Sequence, residues 1–173
     1  MDRSKQNGVL TASVSKIVSD INEMFGRYGP TFVDLAIGKR SDMDALLEFY
    51  GAPLRFVGAT FHMLMKDDAA IIGPEGMGGE ISRLRQANFV ASTLDRCEVT
   101  VLNDQAALVD AVWLRRDAKG ALISRFAVIY LVTLATDGWR ITSAVSTQQG
   151  ELTAHIGEEA LQTARAAKRR RRR

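Results

Sequence analysis

Residues 97–146 read CEVTVLN-DQ-AALVDAVWLRR-DAKG-ALISRFAVIYLVTL-ATDG-WRITSAVS, four runs rich in Val, Ile, Leu and aromatics with short polar breaks between them. β-Branched and aromatic residues suit a pleated, half-buried surface, and the breaks at Asp104-Gln105, Asp117–Gly120 and Ala135–Gly138 carry the Asp and Gly that close tight turns. The stretch predicts an antiparallel meander, one curved sheet on which the rest of the chain is organised.

Folding the strands about those turns sets a register. Pairing Arg116 with Ala121 puts Ala111 opposite Phe126, Val109 opposite Val128 and Ala107 opposite Tyr130. Pairing Leu134 with Trp139 puts Tyr130 opposite Ser143 and Val128 opposite Val145. Because side chains alternate, one face gathers Val109, Ala111, Trp113, Phe126, Val128, Tyr130, Ile141 and Val145, and helices should cover it. The other gathers Leu108, Asp110, Leu114, Arg125, Ile129, Ala144 and Ser146, an apolar middle with polar edges that suits a subunit contact. A slip of one residue exchanges the two sets.

Upstream, Val14, Ile17, Val18, Ile21, Met24, Phe25 and Tyr28 recur at helical spacing from Ala12, after a polar stretch, residues 1–11, expected to be a flexible end. Gly29-Pro30 is expected to break that helix. Ser41-Asp-Met-Asp44 has the pattern of a capping box, with Met43, Leu46, Leu47 and Tyr50 as the stripe of a second helix ending at Gly51-Ala-Pro53. Leu54–Val57 and Thr60–Met65 read as short strands, and Ala69–Ile72 as another. Gly73–Gly79 lacks the Lys and Ser/Thr of a phosphate loop and reads as a flexible connection. Glu80–Thr93 predicts a third helix with Arg83 and Arg85 on its outer side.

The 173 residues suit one domain, and 46% hydrophobic with 25% charged residues is the balance of a folded chain. One cysteine and two histidines exclude a disulfide framework and a structural zinc cluster. No apolar run is long enough for a transmembrane segment, and the N-terminus has no secretory pattern, so a cytoplasmic protein is expected. Removing the six charges of Lys168–Arg173 from the net +3 leaves residues 1–167 at about −3, so the basicity is local. Nucleic acid or an anionic surface is therefore expected as a partner only through Lys168–Arg173, in a helical or disordered basic extension spanning residues 150–173.

Tyr50 with Pro53, Arg125 with Tyr130 and the run Asp137–Ile141, in a chain of helices followed by a long meander, resemble the SnoaL-like, ketosteroid-isomerase-like superfamily, which includes nuclear transport factor two. The resemblance covers roughly residues 14–146 and assigns residues 12–149 to one such domain. It implies an α+β fold in which N-terminal helices pack on a strongly curved, mostly antiparallel, cone-like sheet around a pocket. It also implies a homodimer formed through the outer sheet face. It does not imply a reaction, since members isomerise, dehydrate, cyclise, hydrolyse or only bind.

Proton transfer in such a cone needs a base in an apolar setting and a donor for developing negative charge. Pairing Asn103 with Ala106 places Glu98 opposite Ala111 on the core face, where it is either a desolvated base or a margin residue reaching water. Asp110 falls on the outer face, diagonal to Arg125, as an ion pair; a one-residue slip makes it the base instead. Tyr50 and Tyr130 are hydroxyl donors or simple core aromatics. His62 is a base near neutrality or an exposed residue, and Arg55 an anion selector or an exposed strand residue. Trp113 and Phe126 line an apolar site or fill it. Ser143, Ser146 and Thr147 stand where dehydratase-like members of the superfamily would carry a second histidine, which weighs against that chemistry. The leading expectation is a small apolar ligand in the cone, with proton-transfer chemistry of isomerase or cyclase type as its extension. The competing one is a noncatalytic homodimeric interaction protein using the outer face and the basic tail. Neither calls for a metal or other cofactor.

Overall fold

The computed structural model describes residues 3–147 of the chain, with side chains described from residue 13. The basic extension expected at residues 150–173, including Lys168–Arg173, lies outside the described residues.

A long helix, α1 (Arg3–Ala36), leads into a 3-10 turn (Met43–Glu48) and then β1 (Tyr50–Val57), β2 (His62–Met65), α2 (Asp68–Ile72), α3 (Met77–Gln86), β3 (Phe89–Asn103), β4 (Ala106–Asp117), β5 (Leu122–Ala135) and β6 (Gly138–Thr147). The strands form one sheet in the order β2-β1-β6-β5-β4-β3, antiparallel except where β1 runs parallel to β6. The expected α+β arrangement, helices on a mostly antiparallel curved sheet, is the observed one.

The helices depart from expectation in instructive ways. α1 begins at Arg3, ahead of the expected start, and runs through Pro30 without breaking. Pro costs a helix interior about 3 kcal/mol. Beyond it, Phe32 and Leu35 are buried on the same face as Ile21, Phe25 and Tyr28, and each such burial is worth about 1.5–3 kcal/mol. The continued stripe outweighs the proline. α1 ends at Ala36, and Gly38 just beyond it turns the chain away at a φ of 77°, which suits a residue without Cβ. Arg85, reaching from α3, donates to the carbonyls of Leu35 and Ala36 at 2.7 and 3.1 Å and satisfies the helix end.

Met43–Glu48 forms only a 3-10 turn, without a side-chain cap from the expected box, and Tyr50 opens a strand instead of closing a helix. Ala69–Ile72 is helical, not extended: the Asp67 carboxylate accepts from the Ala70 N–H at 2.8 Å, and Asp68 sits in the first turn. The glycine run is no loose connection. A Cβ on Gly76 or Gly78 would collide with carbonyl oxygens of α2, and one on Gly79 with that of Pro74, so the start of α3 packs backbone on backbone against α2 and the turn after it. Asn88, at φ 54°, stops α3 short of the expected Thr93, and Phe89 already begins β3.

In the meander the face assignment survives a register error. β4 and β5 pair two residues away from the simplest hairpin, Ala111 with Val128 and Val109 with Tyr130: the turn sets Arg116 against Leu122, one residue on, and a bulge at Arg115/Arg116 adds the second. A shift of two keeps every side chain on its face. Single-residue bulges do not. One between Leu131 and Val132 opposes Tyr130 to Ala144, so Ala144 is buried and Ser146 faces inward, while Val145, expected in the core, is 40% exposed.

Candidate functional site

The inner face of the sheet, α1, α3 and the first hairpin enclose a cavity of about 420 Å³. Its walls include Phe32, Phe56, Phe61, Met63, Met77, Phe126 and Val128. Phe56 and Phe61 stack with centroids 6.1 Å apart. Trp113 and Phe126 line the space without filling it.

Two sets of polar groups interrupt this apolar wall. The first is buried: the Tyr28 and Tyr50 hydroxyls are 2.6 Å apart, and Trp113 Nε1 donates to the Tyr130 hydroxyl at 3.1 Å. α1 delivers Tyr28, β1 Tyr50, β4 Trp113 and β5 Tyr130. Tyr28 meets Phe49, Tyr50 and Trp113 edge to face at 5.6–5.7 Å, which fixes its ring. Burial pushes all three phenols above the ordinary tyrosine range, most strongly Tyr50 and Tyr130. They stay protonated and act as donors. One of the two Tyr28–Tyr50 protons is used between them; the other, and the Tyr130 proton, have no acceptor among the described residues and can be given to one in the cavity.

The second set is ionic. Arg115 Nη1 donates to Glu80, which also accepts from Arg83 at 2.6 Å. The Arg115 guanidinium lies 4.4 Å from the Phe126 ring centroid and 5.5 Å from that of Phe32. Burial works to raise the Glu80 pKa, but Arg115 and Arg83 outweigh it and hold the carboxyl below its usual range.

Of the residues singled out from sequence, Tyr50, Trp113, Phe126 and Tyr130 meet at this cavity. Glu98, Asp110, His62 and Arg55 are not among its lining residues. Glu98 is exposed on the outer face because Leu102 forms a bulge, which pairs Glu98 with Asp110 instead of Ala111. Asp110 is on the outer face as expected, but its ion pair is with Arg96 at 2.8 Å, and Arg125 approaches Asp95 at 3.7 Å instead. Arg55 and His62 are both exposed and face each other at 3.5 Å across the first hairpin.

Sequence reasoning missed Tyr28, Glu80 and Arg115. Tyr28 lay in the α1 stripe and read as core. Arg115 was legible: it continues the alternation Val109, Ala111, Trp113 and so had to face inward. Glu80 carried no local signal, since only the placement of α3 against β4 brings it to Arg115.

No curated protein matches the chain. Among solved structures, an NTF2-like protein with a cystatin-like fold from Novosphingobium aromaticivorans superposes with a TM-score of 0.63 at 22% identity, covering 90% of this chain and 96% of that one. Aln2 from a Streptomyces species gives 0.55 at 15% identity, over 82% of this chain and 96% of that one. A domain of unknown function with a cystatin-like fold from Nostoc punctiforme gives 0.55 at 16% identity, over 87% and 91%. These likenesses show the fold. The family model of the NTF2-like proteins DUF6841 matches residues 19–149, the whole of the sheet and the second half of α1, and the chain belongs to that family.

Proposed function

We propose that this protein binds a small, mostly apolar molecule in the cone and holds an oxygen acceptor of that molecule on the tyrosine hydroxyls. The observation carrying the reading is the pairing of an apolar cavity of about 420 Å³ with buried, protonated phenols at its wall. Proton transfer of isomerase or cyclase type is less well supported by the same geometry. The carboxylate lining the cavity, Glu80, is held by two arginines at a low pKa, whereas a general base works best near the operating pH. No described helix is long and apolar enough to cross a membrane. A cytoplasmic setting is part of the reading, in keeping with the free thiol of Cys97.

The test is titration with N-phenyl-1-naphthylamine, a neutral two-ring fluorophore. One molecule per chain should bind, and Ser146→Phe, which projects a ring into the cavity from β6, should weaken binding at least about tenfold by filling the space. Unchanged binding by a folded Ser146→Phe protein would sink the proposal.

A homodimer is a second reading, supported by the outer sheet face. Val112 and Ala127 are buried there, Leu108 and Val145 are 36% and 40% exposed, and Asp95, Glu98 and Asp110 lie among Arg96 and Arg125. A surface mixing both signs around an apolar middle complements its own copy under a two-fold rotation. Light scattering should give a dimer at micromolar concentration and a monomer for Val145→Lys; a monomeric unsubstituted chain would exclude this reading.

A further inference from the structure

We propose that the ligand of the cone is a monoanion, an apolar ring-bearing body with a carboxylate or equivalent oxyanion that meets Arg115. This rests on the cone being a binding site and adds the charge of what it takes. Among the described residues the ionised side chains lining the cavity are Glu80, Arg83 and Arg115, two cations against one anion, while the tyrosines are neutral. One negative charge on the ligand brings the site to neutrality.

The guanidinium geometry says where that charge goes. The Arg115 guanidinium lies against the Phe126 ring and near that of Phe32. Its Nη1 corner is taken by Glu80. What remains is the edge formed by Nε and Nη2, and Nε is buried with no hydrogen-bond partner among the described residues. Nε has essentially no surface open to the cavity, so an entering oxyanion meets Arg115 at Nη2, in a single charge-assisted hydrogen bond. Because Glu80 and the two neighbouring rings hold the guanidinium, little side-chain freedom remains to be lost when an anion docks. The same rings that fix Arg115 offer an aromatic ligand its contact surface, so charge and ring are recognised side by side.

The test is calorimetric titration of the full chain with 2-naphthoate and 2-naphthamide, which share a ring system and differ in charge. About 150 mM salt screens weak attraction to Lys168–Arg173. Naphthoate should bind about tenfold more tightly than naphthamide, the scale of one charge-assisted hydrogen bond. Arg115→Gln should bring the ratio of naphthoate to naphthamide affinity down to about one, whatever it does to the absolute affinities, and Glu80→Gln, which keeps an acceptor for Nη1 but removes the opposing charge, should enlarge that ratio. Should Arg115→Gln fail to fold, the preference in the unsubstituted chain and its response to Glu80→Gln decide. Equal binding of the two probes, or tighter binding of naphthamide, overturns the assigned charge and leaves cone binding standing. Failure of both probes and of N-phenyl-1-naphthylamine to bind overturns the cone reading itself.

Discussion

Phe25→Ala is expected to lower the unfolding free energy by about 3–5 kcal/mol, the range for deleting a large aromatic from a packed core. Phe25 is 2% exposed, its ring 5.2 Å from that of Tyr130 and 6.1 Å from that of Tyr28. It is therefore the wedge between α1 and β5 that holds two of the three cavity phenols in place. The void left behind opens next to the existing cavity, so neighbouring rings can relax into it only by giving up their edge-to-face contacts. For a chain of this size the loss should appear as a fall of roughly 6–20 °C in the melting temperature. Val14 on the same helix is 44% exposed, and Val14→Ala should stay within about 0.5 kcal/mol. A Phe25→Ala protein less than about 1 kcal/mol destabilised in urea would mean that α1 is not anchored by this contact.

How much of this was legible in the sequence depended on whether the signal was periodic or positional. The strands of the meander were readable because alternation and turn chemistry both mark them, and even the two-residue error between β4 and β5 left each side chain on its face. Bulges were not readable. Leu102 and Thr142 are unremarkable strand residues, yet each inserts an extra position, and they decide whether Glu98 or Cys97, Val145 or Ala144, points inward. The candidate base failed at one of these. At Pro30 and at Ala69–Ile72 local rules lost to burial and capping: Phe32 and Leu35 carry α1 past the proline, and Asp67 turns a β-like run into a helix. Half of the site was visible because aromatic residues in an alternating strand sit on the core face whatever their function. The ionic half was invisible at Glu80, because its partner comes from a strand 35 residues away.

The Glu80–Arg115 pair should show the strongest coupling in the cavity. Arg115 is 15% exposed and Glu80 25%, so neither is well hydrated. Glu80→Leu leaves a half-dehydrated guanidinium beside two phenylalanine rings without its carboxylate and should cost about 2–4 kcal/mol, toward the lower part of the range for breaking a buried pair because some water reaches it. Arg115→Met should cost less, since Glu80 keeps Arg83 at 2.6 Å. The double variant, which removes both charges, should be more stable than the sum of the single losses by at least about 1 kcal/mol, measured in urea as a double-mutant cycle. Additive losses would mean that the two side chains act independently. The acid limb gives a second check. The two arginines lower the Glu80 pKa in the folded chain, so its contribution is fully present above the unfolded carboxyl value of about 4.3. That contribution is lost as pH falls through the lower folded value. The stability difference between the unsubstituted chain and Glu80→Gln should therefore hold constant from neutrality to about pH 5 and shrink steadily below it, as the carboxylate that pairs with Arg115 is protonated.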